Sequence, residues 1–406
     1  MRDLLFLCHR LPYPPDKGDK IRAWHMLRHL AQRHRVHLGT FVDDPADWDH
    51  VAFLRGICAS VGAFGFGKAR QKARAIARLR PGRALTLDYF HQPRLQEWVD
   101  KTIAANAIER TFVFSSGMAP YALRHAGLSG VLDMVDVDSA KWTEYAARAR
   151  FPLSAVWARE GRTLLSYERI AAHGFDHTLF VSEEERAKFA ALAPDIAART
   201  QVIANGVDIA HFSAAHDFAS PFGAAQAIVF TGTMDYWPNI DAASWFAREV
   251  LPRLGGRAEF FIVGANAGAE ARRLADLPGV HVTGRVPDTR PYLAHAAVAV
   301  APLRIALGVQ NKVLEAMAMG RPVVVSPQAL EGVQAVPDRD LLVAQDAEGW
   351  ARAIGAILDG RHADLGAHAR RAMERGYDWD TNLAALDALL GDPAPVPARE
   401  AAEIAQ

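Results

Sequence analysis

Residues 300–326, VAPLRIALGVQNKVLEAMAMGRPVVVS, decide how the whole chain reads. An apolar run, a turn at Gly308, a helical run, Gly320 and a valine-rich run spell strand, turn, helix, stop and strand. The helix is almost wholly apolar or small (Val313, Leu314, Ala316, Met317, Ala318), yet it carries Asn311, Lys312 and Glu315. At about 100° per residue these three fall within one wedge of roughly 100°. Such a wedge has two readings. Lys312 and Glu315 stand three residues apart and can pair with each other. Alternatively the wedge meets an anionic or polyhydroxylated ligand, which a helix N-terminus favours.

The same alternation runs through most of the chain. Strands are expected at 4–8, 36–42, 111–114, 131–135, 178–181 and 201–203, with a helix at 20–32 and a long helical region over 141–173. Ser182 and Glu185 form a capping box, so a helix starts there. Residues 213–226, SAAHDFASPFGAAQ, read as a linker. A second series follows, with strands near 228–231, 259–263, 280–283, 297–301, 322–326 and 341–343, and helices over most of 346–390. The expected division is therefore 1–212, linker 213–226, 227–376, a helix at 377–390 and a flexible tail at 391–406. Two strand–helix series predict an α/β protein with two parallel, doubly wound, Rossmann-like sheets. Ligands of such sheets bind outside the carboxyl ends of the strands, so two sheets face to face would form a cleft.

Composition sets the outer bounds. A chain of 406 residues, half of them hydrophobic, suits two cores better than one. Lys plus Arg and Asp plus Glu balance at 46 each, so no overall field points to nucleic acid. Two cysteines, Cys8 and Cys58, fit a reducing cytoplasm rather than a disulfide scaffold. The opening MRDLLFLCHRLPYPPD has an apolar run too short for a signal peptide, and no stretch reaches the roughly 20 apolar residues of a membrane span. The expectation is a soluble or peripheral protein.

Several loops at strand ends hold groups suited to chemistry. In 14–22, Gly18 allows close backbone approach at a helix start, where an anion is favoured; a plain Pro/Gly turn is the alternative. In 231–239, Gly232 can admit a phosphate and Asn239 can cap the next helix. In 284–288, a Gly-x-x-Pro-Asp loop can hold a flat ring, with Asp288 accepting hydrogen bonds or simply capping. At Gly308, Val309, Gln310 and Asn311, amides meet a helix start, and Arg304 and Lys312 add positive charge. Asp136 and Asp138 form a D-x-D that reads either as a cation site or as an ordinary cap. The 16 histidines show no metal-ligand spacing, and no G-x-S-x-G elbow occurs. Residues 68–83 hold seven Lys or Arg and no acid, with Ala69, Ala73, Ile76 and Leu79 as a modest apolar face. That pattern fits a solvated helix face or an anionic membrane surface.

The order of these pieces resembles glycosyltransferase family 4, retaining enzymes of the GT-B fold. The resemblance rests on Val181-Ser-Glu-Glu, Asn205-Gly-Val-Asp208, Gly232, Gly284-Arg-Val and the run from Lys312 to Val324, and it covers residues 1–390. LPYPPDKGDKIR, DVDSAKW, TGTMDYWPN and GVQNKVLEAMAMGRPVV resemble one branch, the sugar transferases associated with exosortase (PEP-CTERM) exopolysaccharide systems. The resemblance implies a nucleotide-diphosphate sugar held mainly by the second domain, a lipid-linked or glycan acceptor held mainly by the first, and no metal or other cofactor. It places Glu315 on the ribose hydroxyls, Gly308 to Asn311 on sugar and phosphates, Gly18 against the diphosphate, and Val286 and Asp288 near the base. Asp136 and Asp138 would stand on the acceptor side. Tyr377-Asp-Trp379 and the following helix resemble an element that crosses back to the first domain.

Three departures stand out against that pattern. Leu307 occupies the place of a first glutamate, Thr233 and Asn239 stand where an Arg/Lys pair is usual, and no histidine matches near Ser115-Ser116-Gly117. Lys312 and Arg304 are then the groups left to supply catalytic positive charge. The expected function is sugar transfer in exopolysaccharide or cell-surface polysaccharide assembly, peripheral at the inner face of the cytoplasmic membrane. The alternatives are a degenerate nucleotide-sugar-binding protein and a nucleotide-sugar epimerase.

Overall fold

The computed structural model describes residues 1–306 and 309–391. Two wholly parallel sheets account for the alternation. The first has seven strands: β1 (Arg2–Cys8), β2 (His34–Val42), β3 (Ser60–Gly65), β4 (Arg110–Phe114), β5 (Ser129–Val135), β6 (His177–Phe180) and β7 (Thr200–Val202). Their order is β3-β2-β1-β4-β5-β6-β7. The second has six: β8 (Ala227–Thr231), β9 (Glu259–Val263), β10 (Val280–Gly284), β11 (Val298–Ala301), β12 (Val323–Val325) and β13 (Leu342–Val343), in the order β10-β9-β8-β11-β12-β13. Helices cover both faces of a parallel sheet, so its strands read as continuous apolar runs. Leu4 to Cys8 and Val323 to Val325 are accordingly buried at every position. Strand order reverses between β1 and β4 in one sheet and between β8 and β11 in the other, and these are the switch points at which such sheets hold ligands.

Contacts divide the chain into two units. One is Met1–Ala204 together with the chain from Leu383; the other is Asn205–Asn382. The boundary falls ahead of the Pro/Gly-containing stretch 213–226. The helix Trp379–Leu389 runs across the second boundary, and its far half carries Asp387, fully buried and hydrogen-bonded to His29 at 2.8 Å within the first unit. Residues 392–406, which hold most of the expected tail, lie outside the described residues.

Two expectations change. The long helical region is two helices, Asp138–Arg148 and Leu153–His173. Pro152 has no N–H to donate and disfavours a helical conformation at Phe151, so the helix cannot continue through them. Strand β3 has no counterpart among the expected strands because its apolar pattern is broken by glycine. A Cβ at Gly62 would lie 2.5 Å from the indole of Trp98, and one at Gly39 on β2 would lie 3.0 Å from the same ring. These glycines make room for Trp98 on the helix Pro93–Asn106. The Ser182 cap forms, with Ser182 Oγ accepting from Glu185 N at 3.3 Å. Glu185 does not reach back to Ser182; its carboxylate accepts from Val137 N at 2.7 Å instead.

Candidate functional site

The second unit gathers its polar groups at the carboxyl ends of β8 and β11. Gly232 follows β8 with φ +157°, and a Cβ at Gly264 would lie 1.8 Å from the Gly232 carbonyl oxygen. Only glycine permits that approach. Gly232 N donates to Val263 O at 3.0 Å and Met234 N to Ala265 O at 2.8 Å, so the loop after β8 is pinned along the end of β9. The helix Trp237–Trp245 then begins after Tyr236, so Asn239 lies inside it and is not its cap. The Asn239 side chain is a tie: Nδ2 donates to Thr233 O at 2.9 Å, and Oδ1 accepts from Lys312 Nζ at 2.6 Å.

Lys312 stands in the first turn of the helix Asn311–Ala318. Its ammonium also lies 4.6 Å from the centroid of the Phe230 ring, where the ring face attracts a cation. Glu315 is one turn along the same helix. Its carboxylate makes no hydrogen bond or ion pair with any described residue, and the close contacts of the Lys312 ammonium go to Asn239 and Phe230. Burial pushes the Lys312 ammonium down to about 7, against the attraction of Glu315, and pushes the Glu315 carboxyl up to about 7, against that of Lys312. Beside them, Asn311 Oδ1 is buried with no hydrogen-bond partner among the described residues. An acid, a base and an amide oxygen thus crowd one switch point with unmet capacity for hydrogen bonds and charge.

The other expected donor residues are placed as follows. Gln310 precedes the helix in extended conformation, and Val309 packs against the core and approaches Gly332. Leu307 and Gly308 lie outside the described residues. Arg304 is exposed and forks onto Asp241, with Nε at 2.9 Å from Oδ2, so its charge already has a carboxylate. Val286 packs at the margin of the core. The cap of the helix Arg290–Ala294 is Thr289, not Asp288; one residue earlier, Asp288 accepts from Arg290 N at 2.9 Å and takes the Arg290 guanidinium at 2.7 Å. Burial raises the Asp288 carboxyl, but the hydrogen bonds and charge of Arg290 outweigh that and hold it below the usual range.

In the first unit, Gly18 opens the helix Gly18–Ala31, behind an extended Lys17 that makes no side-chain cap. Asp136 and Asp138 share one cation of the protein's own, Lys141, at 2.7 and 3.3 Å. Among the described residues no group of three or more His, Cys, Asp and Glu is placed to hold a metal ion, and no helix is long and apolar enough to cross a membrane. In 68–83 the helix is Lys68–Ala77; it turns Gln71 and Ala75 inward, while Ile76 and Leu79 are 58% and 55% exposed.

One feature escaped the sequence reading. His9 directly follows β1 at the switch point of the first sheet, with Nε2 3.3 Å from Asp19 Oδ2 and its ring stacked on Phe114. Its Nδ1 is buried without a partner among the described residues. Burial raises the Asp19 carboxyl, but His9 and Arg10 draw it far below the usual range. A lone histidine carries no spacing signature; only its position immediately after a buried strand marks it.

Residues 225–360 match the family described as glycosyl transferases group 1. No curated protein sequence matches the chain. Among solved structures the chain is similar in fold to sucrose-phosphate synthase from Thermosynechococcus elongatus, at 17% identity and a TM-score of 0.70, covering 96% of this chain and 98% of that one. It is similar to Anabaena HepE in complex with UDP, at 15% identity and a TM-score of 0.65, covering 96% and 100%. It is also similar to WaaG, a glycosyltransferase involved in lipopolysaccharide biosynthesis, at 16% identity and a TM-score of 0.63, covering 96% and 100%. The fold is GT-B, and the domain match together with these neighbours supports a GT-B glycosyltransferase.

Proposed function

We propose that the protein is a retaining glycosyltransferase that moves a sugar from a nucleotide-diphosphate sugar to a lipid-linked or other glycan acceptor, in exopolysaccharide or other cell-surface polysaccharide assembly. The observation that carries the proposal is the Glu315 carboxylate, which makes no hydrogen bond or ion pair with any described residue, one turn from Lys312 at the β8/β11 switch point. The ribose of a nucleotide offers two hydroxyl donors to such an acceptor-only group. The N-terminus of the helix Asn311–Ala318 favours the diphosphate, and Lys312 brings a cation to it. HepE, a neighbour in fold, is solved with UDP and with UDP-glucose, which makes UDP-sugars the first donors to test.

In transfer, the bond between the anomeric carbon and the phosphate oxygen breaks while the bond to the acceptor oxygen forms on the same face. Negative charge grows on the leaving phosphate, and Lys312 and the helix amides are set in advance to meet it. The leaving oxygen takes the acceptor's proton, so the step needs no pair of carboxylates. Glu315 binds the donor and does not enter the bond changes. Asn239 positions Lys312 through the 2.6 Å bond. The Asp241 carboxylate on Arg304 leaves Lys312 as the main charge, with Arg304 in support if it leaves Asp241. Lys141 between Asp136 and Asp138 favours transfer without a metal ion. The basic segment 68–83, with outward Ile76 and Leu79, favours attachment to an anionic membrane face, and the motifs favour the exosortase-associated branch.

The test is a thermal-shift panel of UDP-, GDP-, ADP- and TDP-sugars, followed by turnover of the best binder. One nucleotide sugar should raise the melting temperature and be consumed. Binding without consumption on any acceptor supports the non-catalytic alternative, and no binding at all removes the reading.

A further inference from the structure

The first unit contains a cavity of about 450 Å³ that the transfer reading does not use. Its wall includes Arg78, Arg80, Arg83, Arg124, His91 and Tyr167. Four arginines and one acid, Asp88, give the lining a net formal charge of +3. Asp88 is already taken by Arg83 at 3.1 Å. Arg78, Arg80 and Arg124 have no acidic partner among the described residues. The Tyr167 hydroxyl is buried and has no hydrogen-bond partner among them either. By contrast the neighbouring Tyr121 hydroxyl is fully used, donating to Phe90 O at 2.6 Å and accepting from Gln92 N at 2.7 Å. His91 reports the field inside: partial burial and then Arg74, Arg78, Arg124 and Arg83 hold its imidazole below the ordinary range.

Three guanidinium groups without acidic partners around one concavity give it a positive potential that attracts an anion. A planar guanidinium is suited to forked hydrogen bonding with phosphate oxygens. The volume falls in the range of small-molecule sites and exceeds what a single inorganic ion fills. We propose that this cavity binds the phosphate or diphosphate group of a larger molecule, with Arg78, Arg80 and Arg124 as its charge partners and the Tyr167 hydroxyl as a donor. That the molecule is the glycan acceptor rests on the transfer reading; the phosphate site itself does not.

The probe is inorganic pyrophosphate, titrated into the full-length protein carrying Lys312→Ala, so that the second unit's cation does not contribute. The readout is the His91 ring resonance, assigned by its loss in His91→Gln. Pyrophosphate should shift that resonance and raise the His91 pKa, and Arg78→Ala with Arg124→Ala should weaken the effect about tenfold or more. Both arginines are exposed, so the double variant is expected to fold, and an unchanged melting temperature verifies it. A second arm adds vesicles of phosphatidylcholine and phosphatidylglycerol in equal parts. Competition with pyrophosphate assigns the group to a lipid headgroup, and absence of competition assigns it to a soluble phosphate compound. No His91 response, or one that the arginine variants leave unchanged, overturns the proposal. Failure of the transfer reading registers elsewhere, as no binding of any nucleotide sugar by the native sequence, with the His91 response intact.

Discussion

Two sets of buried charge, one in each unit, are held in opposite ways. In the first, Arg22 and Asp133 are both buried and locked by two bonds at 2.7 and 3.1 Å, and Arg22 also donates to Ile203 O at 2.7 Å. Lys20 is equally buried and is held by Asp47 at 2.9 Å and Asp16 at 3.2 Å. His29 and Arg33 share Asp387. Every one of these charges has its partner before any ligand arrives. In the second unit, Lys312 rests on an amide oxygen and a ring, and Glu315 makes no hydrogen bond or ion pair with a described residue. Removing one member of a buried pair strands its partner, whereas a buried carboxylate without a close partner opposes folding from the start, and the proposed function gives it a ligand.

The sharpest way to break this contrast is to remove a partner in the first unit. Arg22→Ala leaves Asp133 charged and buried, and should cost about 3–5 kcal/mol of stability in a denaturant titration. A loss below about 1 kcal/mol would mean that the first unit's charges are no better anchored than the second's.

The pH profile of the ligand-free protein sharpens the contrast. Glu315 has a native pKa raised from 4.5 to about 7, so between those values the native state holds the extra proton and stability falls as pH rises. Lys312 has a native pKa lowered from 10.5 to about 7, so above 7 the unfolded state holds the extra proton and stability rises with pH. Together they should impose a dip of about 3 kcal/mol or more centred near neutrality. Urea titrations across that range should show the dip in the native sequence and lose it in Lys312→Met/Glu315→Gln.

The smallest effect concerns protons on binding. A diphosphate favours the charged form of Lys312 and ribose hydroxyls favour the charged form of Glu315, so one ligand draws a proton from the acid to the base. Calorimetry of a bound nucleotide sugar near pH 7, in buffers of different ionisation enthalpy, should report close to no net proton exchange. Uptake of a full proton would separate the two groups.

Much of this was legible in the sequence, for identifiable reasons. The central strands β1 and β12 are continuous apolar runs because both faces of a parallel sheet are covered. The wedge of Asn311, Lys312 and Glu315 was legible because helical spacing alone places it. What stayed hidden depends on strand order. Asn239 meets Lys312 from 73 residues away, and Asp241 takes Arg304 from 63 away, because β8 lies beside β11. No local pattern encodes that adjacency. The edge strand β3 was hidden by glycines whose function is to admit Trp98, and the break at Pro152 by a helical periodicity that continues on both sides of it.

The central claim is that Glu315 is held unsatisfied for a nucleotide sugar. It is tested most directly by Glu315→Gln, measured twice: melting temperature without ligand and affinity for the best donor of the panel. The account predicts opposite signs, a ligand-free protein more stable by about 1–2 kcal/mol near pH 7 and a donor affinity about tenfold or more weaker. A variant that binds the donor as tightly as the native protein would contradict it.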